Sequence, residues 1–283
     1  MLVELRRTLL RSRAAVLGWG LALALYGIFL LSFYDKALAQ KAEFQRSIEA
    51  MPREMLAFFG NETSIFEPAG YLTVYFFSMM PVIVGIFAVL AGSGLLVHDE
   101  ERGVMDLVLA HPISRKGLFA GRLLGFAGLQ AAVLAVAWLG FVLVIPRGFD
   151  VSALDLALPF LSLYAVLMFF GTLAVLLSMV LPSRGLTGSC AGFILMASYF
   201  LSSLVNLDSG LAGTDKFSPL HYYQGGAAVN GMNWTWFACL LGAGALFSIL
   251  AWCLFERRDI RVAGESGWRW RQPRRARGQE AAA

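Results

Sequence analysis

Residues Leu123-Leu-Gly-Phe-Ala-Gly-Leu-Gln-Ala-Ala-Val-Leu-Ala-Val-Ala-Trp-Leu-Gly-Phe-Val-Leu-Val-Ile145 run on without one charged side chain. A helix needs about 20 such residues to cross the hydrocarbon of a bilayer. Outward from this run, similar charge-free stretches occupy Ala14 to Phe33, Tyr71 to Val97, Leu156 to Leu181, Leu186 to Val205 and Trp234 to Phe255. The chain therefore reads as an all-α membrane protein with six transmembrane helices, at about 14–33, 71–97, 123–145, 156–181, 186–205 and 234–255. Composition agrees. The chain is 58% hydrophobic and 15% charged, whereas soluble domains run about 45–50% and about 25%. So few charges cannot cover a water-facing surface. Six spans in 283 residues also leave no room for a large soluble domain.

The connections set the orientation. With both termini on the cytoplasmic side, seventeen of the 23 Lys and Arg residues fall inside, eight of them in the tail, and six fall outside. Acidic residues divide almost evenly, so the bias is the positive-inside pattern. The net charge of +4 thus marks topology and anionic headgroups, not nucleic acid. Residues 2–13 carry Leu2, Leu5 and Leu9 on one helical face and arginines on another, which suits a helix lying in the membrane interface. Arg6, Arg7, Arg11 and Arg13 before the first apolar run, with Ala37-Leu38-Ala39 after it, also resemble a secretory signal. The 20-residue run exceeds the usual 7–15 of such signals, which favours a retained span. Residues 34–70 form a polar connection, 206–233 a Gly-, Asn- and Asp-rich loop, and 263–283 a basic, disordered tail.

Absent chemistry narrows the function. The chain has no glycine-rich phosphate loop ending in Gly-Lys-Ser or Gly-Lys-Thr, no His-Glu-x-x-His helix and no Gly-x-Ser-x-Gly elbow. Its histidines, His98, His111 and His221, are scattered. Cys190, Cys239 and Cys253 lie in apolar stretches and form no metal-type pair. The span interiors hold no Asp, Glu, Lys, Arg or His, whereas ion-coupled pumps usually keep such a group near the midplane. No catalytic and no metal-ligating residue is assigned. Work on a substrate would draw its energy from a partner. Thr172, Ser178, Ser189 and Ser198 read as hydroxyls satisfied by their own backbone. Gly92-Ser93-Gly94 reads as a close helix contact. Pro81, inside the second span, is a hinge candidate, because proline removes a backbone donor and favours a kink.

The most informative segment is His98 to Lys116, between the second and third spans. Asp99, Glu100 and Glu101 suit the first turn of a helix. Val104, Leu107 and Val108 share one face, and Pro112 ends the helix. Ser114 is placed to cap the helix that follows. The segment reads as a short amphipathic cytoplasmic helix held between two spans.

Glu100-Glu101-Arg102-Gly103, then Asp106-Leu107-Val108-Leu109, then Pro112-Ile113-Ser114-Arg115, resembles the permease subunits of ABC type-2 exporters. Glu67-Pro68-Ala69-Gly70-Tyr71-Leu72 looks like the start of that family's second span. Phe217-Ser218-Pro219-Leu220-His221-Tyr222-Tyr223 is similar to its outer segment, and Phe255-Glu256-Arg257-Arg258-Asp259-Ile260 resembles the end of its last span. Val104, His111 and Arg122 depart from the pattern in small ways.

The resemblance implies a transmembrane permease domain over 1–262 and a transport subunit rather than an enzyme. It implies a separate cytoplasmic ATPase subunit, which would bind the ATP and Mg, and a second permease chain, identical or not, in the plasma membrane. Asp99 to Ala110 would be the coupling helix, with Glu100, Glu101, Arg102, Gly103, Asp106, Leu107, Val108, Pro112, Ser114 and Arg115 in the coupling loop. Ser218, Pro219, Tyr222 and Tyr223 would form short helices capping the pathway. A secondary transporter or channel working alone is the alternative.

Overall fold

The computed structural model describes residues 2–40, 66–101, 114–146, 148–205, 213 and 216–257. The coupling-loop residues Arg102, Gly103, Asp106, Leu107, Val108 and Pro112, and the tail 263–283, lie outside the described residues.

An N-terminal helix α1 (Leu2–Arg11) leads into α2 (Arg13–Ser32), extended by a short α3 (Tyr34–Ala39). The second crossing starts at α4 (Pro68–Leu72), continues as a π-helical stretch over Thr73–Phe77, and resumes after a break as α5 (Met80–Ser93). A short α6 (Val97–Glu101) follows, then α7 (Arg115–Leu143), α8 (Ala157–Val180) and α9 (Arg184–Val205). Two 3-10 turns, Pro219–Tyr222 and Gly225–Asn230, precede α10 (Trp234–Arg257). Among the described residues five helices are each long and apolar enough to cross a bilayer, and the bent pair around residue 78, taken as one span, brings the number to six. The protein is thus an all-α, multi-pass membrane protein, and among the described residues no strand occurs.

Local chemistry accounts for the boundaries. Pro68 opens α4 at the first turn, where its missing N–H costs nothing. Ser114 caps α7, its Oγ accepting from the Gly117 N–H at 3.1 Å. The third crossing is therefore longer than the 123–145 read from the apolar run: its helix begins at Arg115 and carries Arg122 two turns in. The other ends fall within two residues of the expected ones, except in the second crossing, which runs Pro68–Ser93 against the expected 71–97.

α8 is the central helix. Buried residues account for 61% of its apolar window, against 22% for α9 and α10. It touches α5, α7, α9 and α10, which explains why it is apolar all round. Lipid chains are as apolar as leucine, so close packing of small residues holds such helices together. α5 and α8 meet so closely at Gly92 that an added Cβ would collide with the Gly171 carbonyl. Gly27 of α2 accepts the Phe141 ring of α7, and Gly140 of α7 meets Ala24 of α2. Thr172, Ser178 and Ser198 close onto their own helices as expected, through Met168 O, Val175 O and Ile194 O.

The two ends of the bundle differ. One gathers α1, α6 and the adjoining ends of α7, α9 and α10, through Arg11, Asp99, Arg122, Glu101, Arg184, Lys116 and Glu256. The other is aromatic. Phe76, Phe77, Phe141 and Phe160 meet at ring distances of 4.7 to 6.0 Å, and Tyr34 lies edge-on to Tyr71 and Phe149. Every crossing thus alternates between an arginine-rich and an aromatic end.

Candidate functional site

At the arginine-rich end, α6 is where the chain leaves the second crossing, and each of its acidic residues has its own setting. Asp99 Oδ2 accepts from Arg122 Nη2 at 2.5 Å, while Oδ1 lies 3.8 Å from Arg11 Nη1 of α1. The Arg122 side chain is only 8% exposed. Its second amine donates to the Leu95 carbonyl at 2.9 Å, just past the C-terminal end of α5, where carbonyls lack helical donors. Glu100 is buried. Glu101 Oε1 accepts the first N–H of α9, that of Arg184, at 3.0 Å. A carboxylate there suits the positive end of a helix dipole. The Arg184 guanidinium turns back toward α6 and lies 3.2 Å from His98 Nδ1.

Four elements therefore converge on five residues of α6. The sequence reading held this segment between the second and third spans. The structure adds α1 through Arg11 and α9 through Arg184. Glu100, Glu101, Ser114 and Arg115 flank the loop, and the coupling-loop residues between them lie outside the described residues. Sequence reasoning noted Arg122 only as a small departure from the family pattern and assigned no role to Arg184. One signal was available: Arg122 is a lone arginine at the edge of an apolar run, where an unpaired charge is costly.

At the aromatic end, the expected kink takes a specific form. The second crossing bends by 45° at Ser78 and Met79, ahead of Pro81. Pro81 then sits in the first turn of α5, where proline is tolerated. In an unbroken helix the Phe77 carbonyl would accept from the N–H of residue 81, and proline has none. The Tyr223 hydroxyl takes that role, donating to Phe77 O at 2.9 Å. Burial pushes the Tyr223 phenol well above its ordinary value of 10.0, so it remains a donor. Two more carbonyls of the stretch are satisfied similarly. Tyr26 of α2 donates to Tyr75 O at 2.7 Å, and Ser78 Oγ to Val74 O at 2.9 Å. A broken helix is tolerated in a bilayer only when its freed backbone groups find partners, and here hydroxyls supply them.

The outer-segment residues and the hinge candidate, read independently, are thus in one assembly. Ser218 caps the first 3-10 turn, accepting from Leu220 N at 3.3 Å, and lies 3.1 Å from Ser202 of α9. Pro219 starts that turn, and Tyr222 donates to Lys216 O at 3.2 Å. Gly225 takes a φ of +53°, which favours glycine, and lets the chain fold back over the π-helical stretch. There Gly226 lies so close to Thr73 that a Cβ would strike its backbone nitrogen.

Gln130 also escaped notice in the sequence. It is fully buried in the middle of α7, and among the described residues neither amide atom has a hydrogen-bond partner. Its signal is a single amide in an otherwise apolar run.

A family model described as ABC-2 family transporter protein matches residues 2–260. No curated protein sequence matches the chain.

Proposed function

The chain belongs to the ABC-2 family of transporter proteins, and from that premise we propose that it is the permease subunit of an ATP-driven exporter. A separate ATPase subunit binds ATP and Mg at the cytoplasmic face and docks on the loop that follows α6. The docking residues are Arg102, Gly103, Asp106, Leu107, Val108 and Pro112, flanked by Glu100, Glu101, Ser114 and Arg115. A second permease chain completes the translocator in the plasma membrane, with both termini cytoplasmic. Ser218, Pro219, Tyr222 and Tyr223 cap the pathway on the opposite side, and Pro81 belongs to the joint that lets the second span bend.

The observation that carries this reading is the fastening of α6. Asp99 bonds Arg122 and approaches Arg11, and Glu101 bonds the start of α9. A push on the adjoining loop therefore reaches the second, third and fifth crossings and the interfacial helix together. That is what a two-state element biased from outside requires.

The test is the double variant Asp106→Lys/Leu107→Asp. Expected are normal membrane insertion, loss of a co-purifying ATPase and loss of ATP-dependent export from vesicles. Full export by this variant would show that the docking loop is misassigned. Transport by vesicles that lack ATP and any ATPase would overturn the permease reading in favour of a stand-alone transporter.

A further inference from the structure

A cleft of about 350 Å³ opens at the arginine-rich end between α1, the start of α2, the end of α5, α6 and the starts of α7 and α9. Its polar lining holds Arg7, Arg11, Arg122 and Arg184 against two carboxylates, Glu4 and Asp99. Arg122 is committed to Asp99, and Arg7 lies 3.8 Å from Glu4. The balance is a surplus of positive charge, with Arg7 and Arg11 on the rim at 60% and 58% side-chain exposure. Part of the lining is apolar, including Leu90, Ala91, Phe126 and Leu129.

A free anion would use the arginines and leave the apolar lining unused. An amphiphile would use both. Leu90 lines the cleft and is 49% exposed. Ile86 and Ile83, four and seven residues earlier on the same helix, are 45% and 43% exposed. Their spacing places the three on one face of α5, which forms an apolar track from the cleft into the bilayer-spanning surface. Trp19 and Phe87, 5.2 Å apart, close α2 onto α5 beyond the cleft. The cleft therefore sits at headgroup depth, where the second crossing ends.

We propose that this cleft binds an anionic phospholipid of the adjacent leaflet. The phosphate lies among Arg7, Arg11 and Arg184, and an acyl chain lies along Leu90, Ile86 and Ile83. Such a lipid bridges α1 to α5 and α9, so it stabilises the fastening around α6. This inference does not depend on what the protein transports.

The test uses the full chain in zwitterionic nanodiscs, titrated with phosphatidylglycerol and read by thermal unfolding and native mass spectrometry. Phosphatidylcholine of the same chain length and inorganic phosphate are the comparison arms. Phosphatidylglycerol is expected to raise the melting temperature saturably and to stay bound in the spectrometer, while phosphatidylcholine does neither. Arg7→Glu/Arg11→Glu is expected to weaken binding at least about tenfold, because each basic group near an anionic surface counts for a similar amount. Arg184→Gln, which keeps the backbone bond to Glu101, gives a second reading if α1 detaches in the first variant. Lys36→Glu, on the aromatic end, should bind as the parent does. Equal effects of the two lipids, retained binding in both arginine variants, or equal loss in Lys36→Glu would each overturn the proposal. A full response to inorganic phosphate alone would replace the lipid with a free anion.

Discussion

Tyr223 and Pro81 show how one residue's missing atom is met by another's extra one. The Phe77 carbonyl loses its helical donor because residue 81 is proline, and the Tyr223 hydroxyl replaces it. Tyr223→Phe should therefore leave a buried acceptor unsatisfied and cost about 1–2 kcal/mol. Pro81→Ala restores an N–H at residue 81, so the same Tyr223→Phe change should cost less in that background. A double-mutant cycle on purified protein, read by chemical unfolding in detergent, should give a coupling of about 1 kcal/mol. Strict additivity would show that the two residues do not share the carbonyl. Gln130 makes the opposite case. Its amide is buried without a partner among the described residues, so Gln130→Leu should raise stability by about 1 kcal/mol in the same assay. A loss of stability instead would reveal a partner outside the described residues or on another chain.

The apolar runs show at the scale of elements what a sequence discloses and what it withholds. Length and lack of charge place the spans to within a few residues at every end but the start of α7, since hydrocarbon thickness imposes both. Ser114 was legible as a helix start for an equally local reason, whereas Pro68 was tied to the second span only through the family resemblance. The break at Ser78 and Met79 was not. The second run is uniformly apolar, and the bend depends on Tyr26 and Tyr223, which arrive from other elements. The burial of Arg122 was hidden in the same way, because its partner Asp99 lies across a connection in a different helix. Of the candidate site, Ser218 to Tyr223 and Pro81 were each legible as candidates, but their meeting through Tyr223 was not.

Glycines in the helices sort by neighbours rather than by sequence. Gly92 faces the backbone of Gly171, while nothing lies within 4 Å of a Cβ on Gly192. Gly92→Ala should force α5 from α8 and cost about 1–3 kcal/mol. Gly192→Ala should be neutral or slightly stabilising, since alanine favours helix. Melting curves of the two variants side by side decide this. Equal behaviour would mean that α5 and α8 do not meet as described.

For the molecule as a whole, the two ends of the bundle are held by different forces. Guanidinium and carboxylate groups join α1, α6, α7 and α9 at one end. Rings and phenol hydroxyls join the outer segment to the second crossing at the other. Ionic strength should act on them unequally. Exposed charges about 4 Å apart are screened as salt rises, buried pairs much less, and aromatic contacts hardly at all. From 0.05 to 1 M salt, amide hydrogen exchange should speed up in α1, whose Arg7 and Arg11 side chains are exposed, and remain unchanged at 66–79 and 219–230. Equal acceleration at both ends would refute this division. Salt would then serve as a one-sided solvent for the fastenings, loosening the end where α1 is held while the aromatic end stays closed.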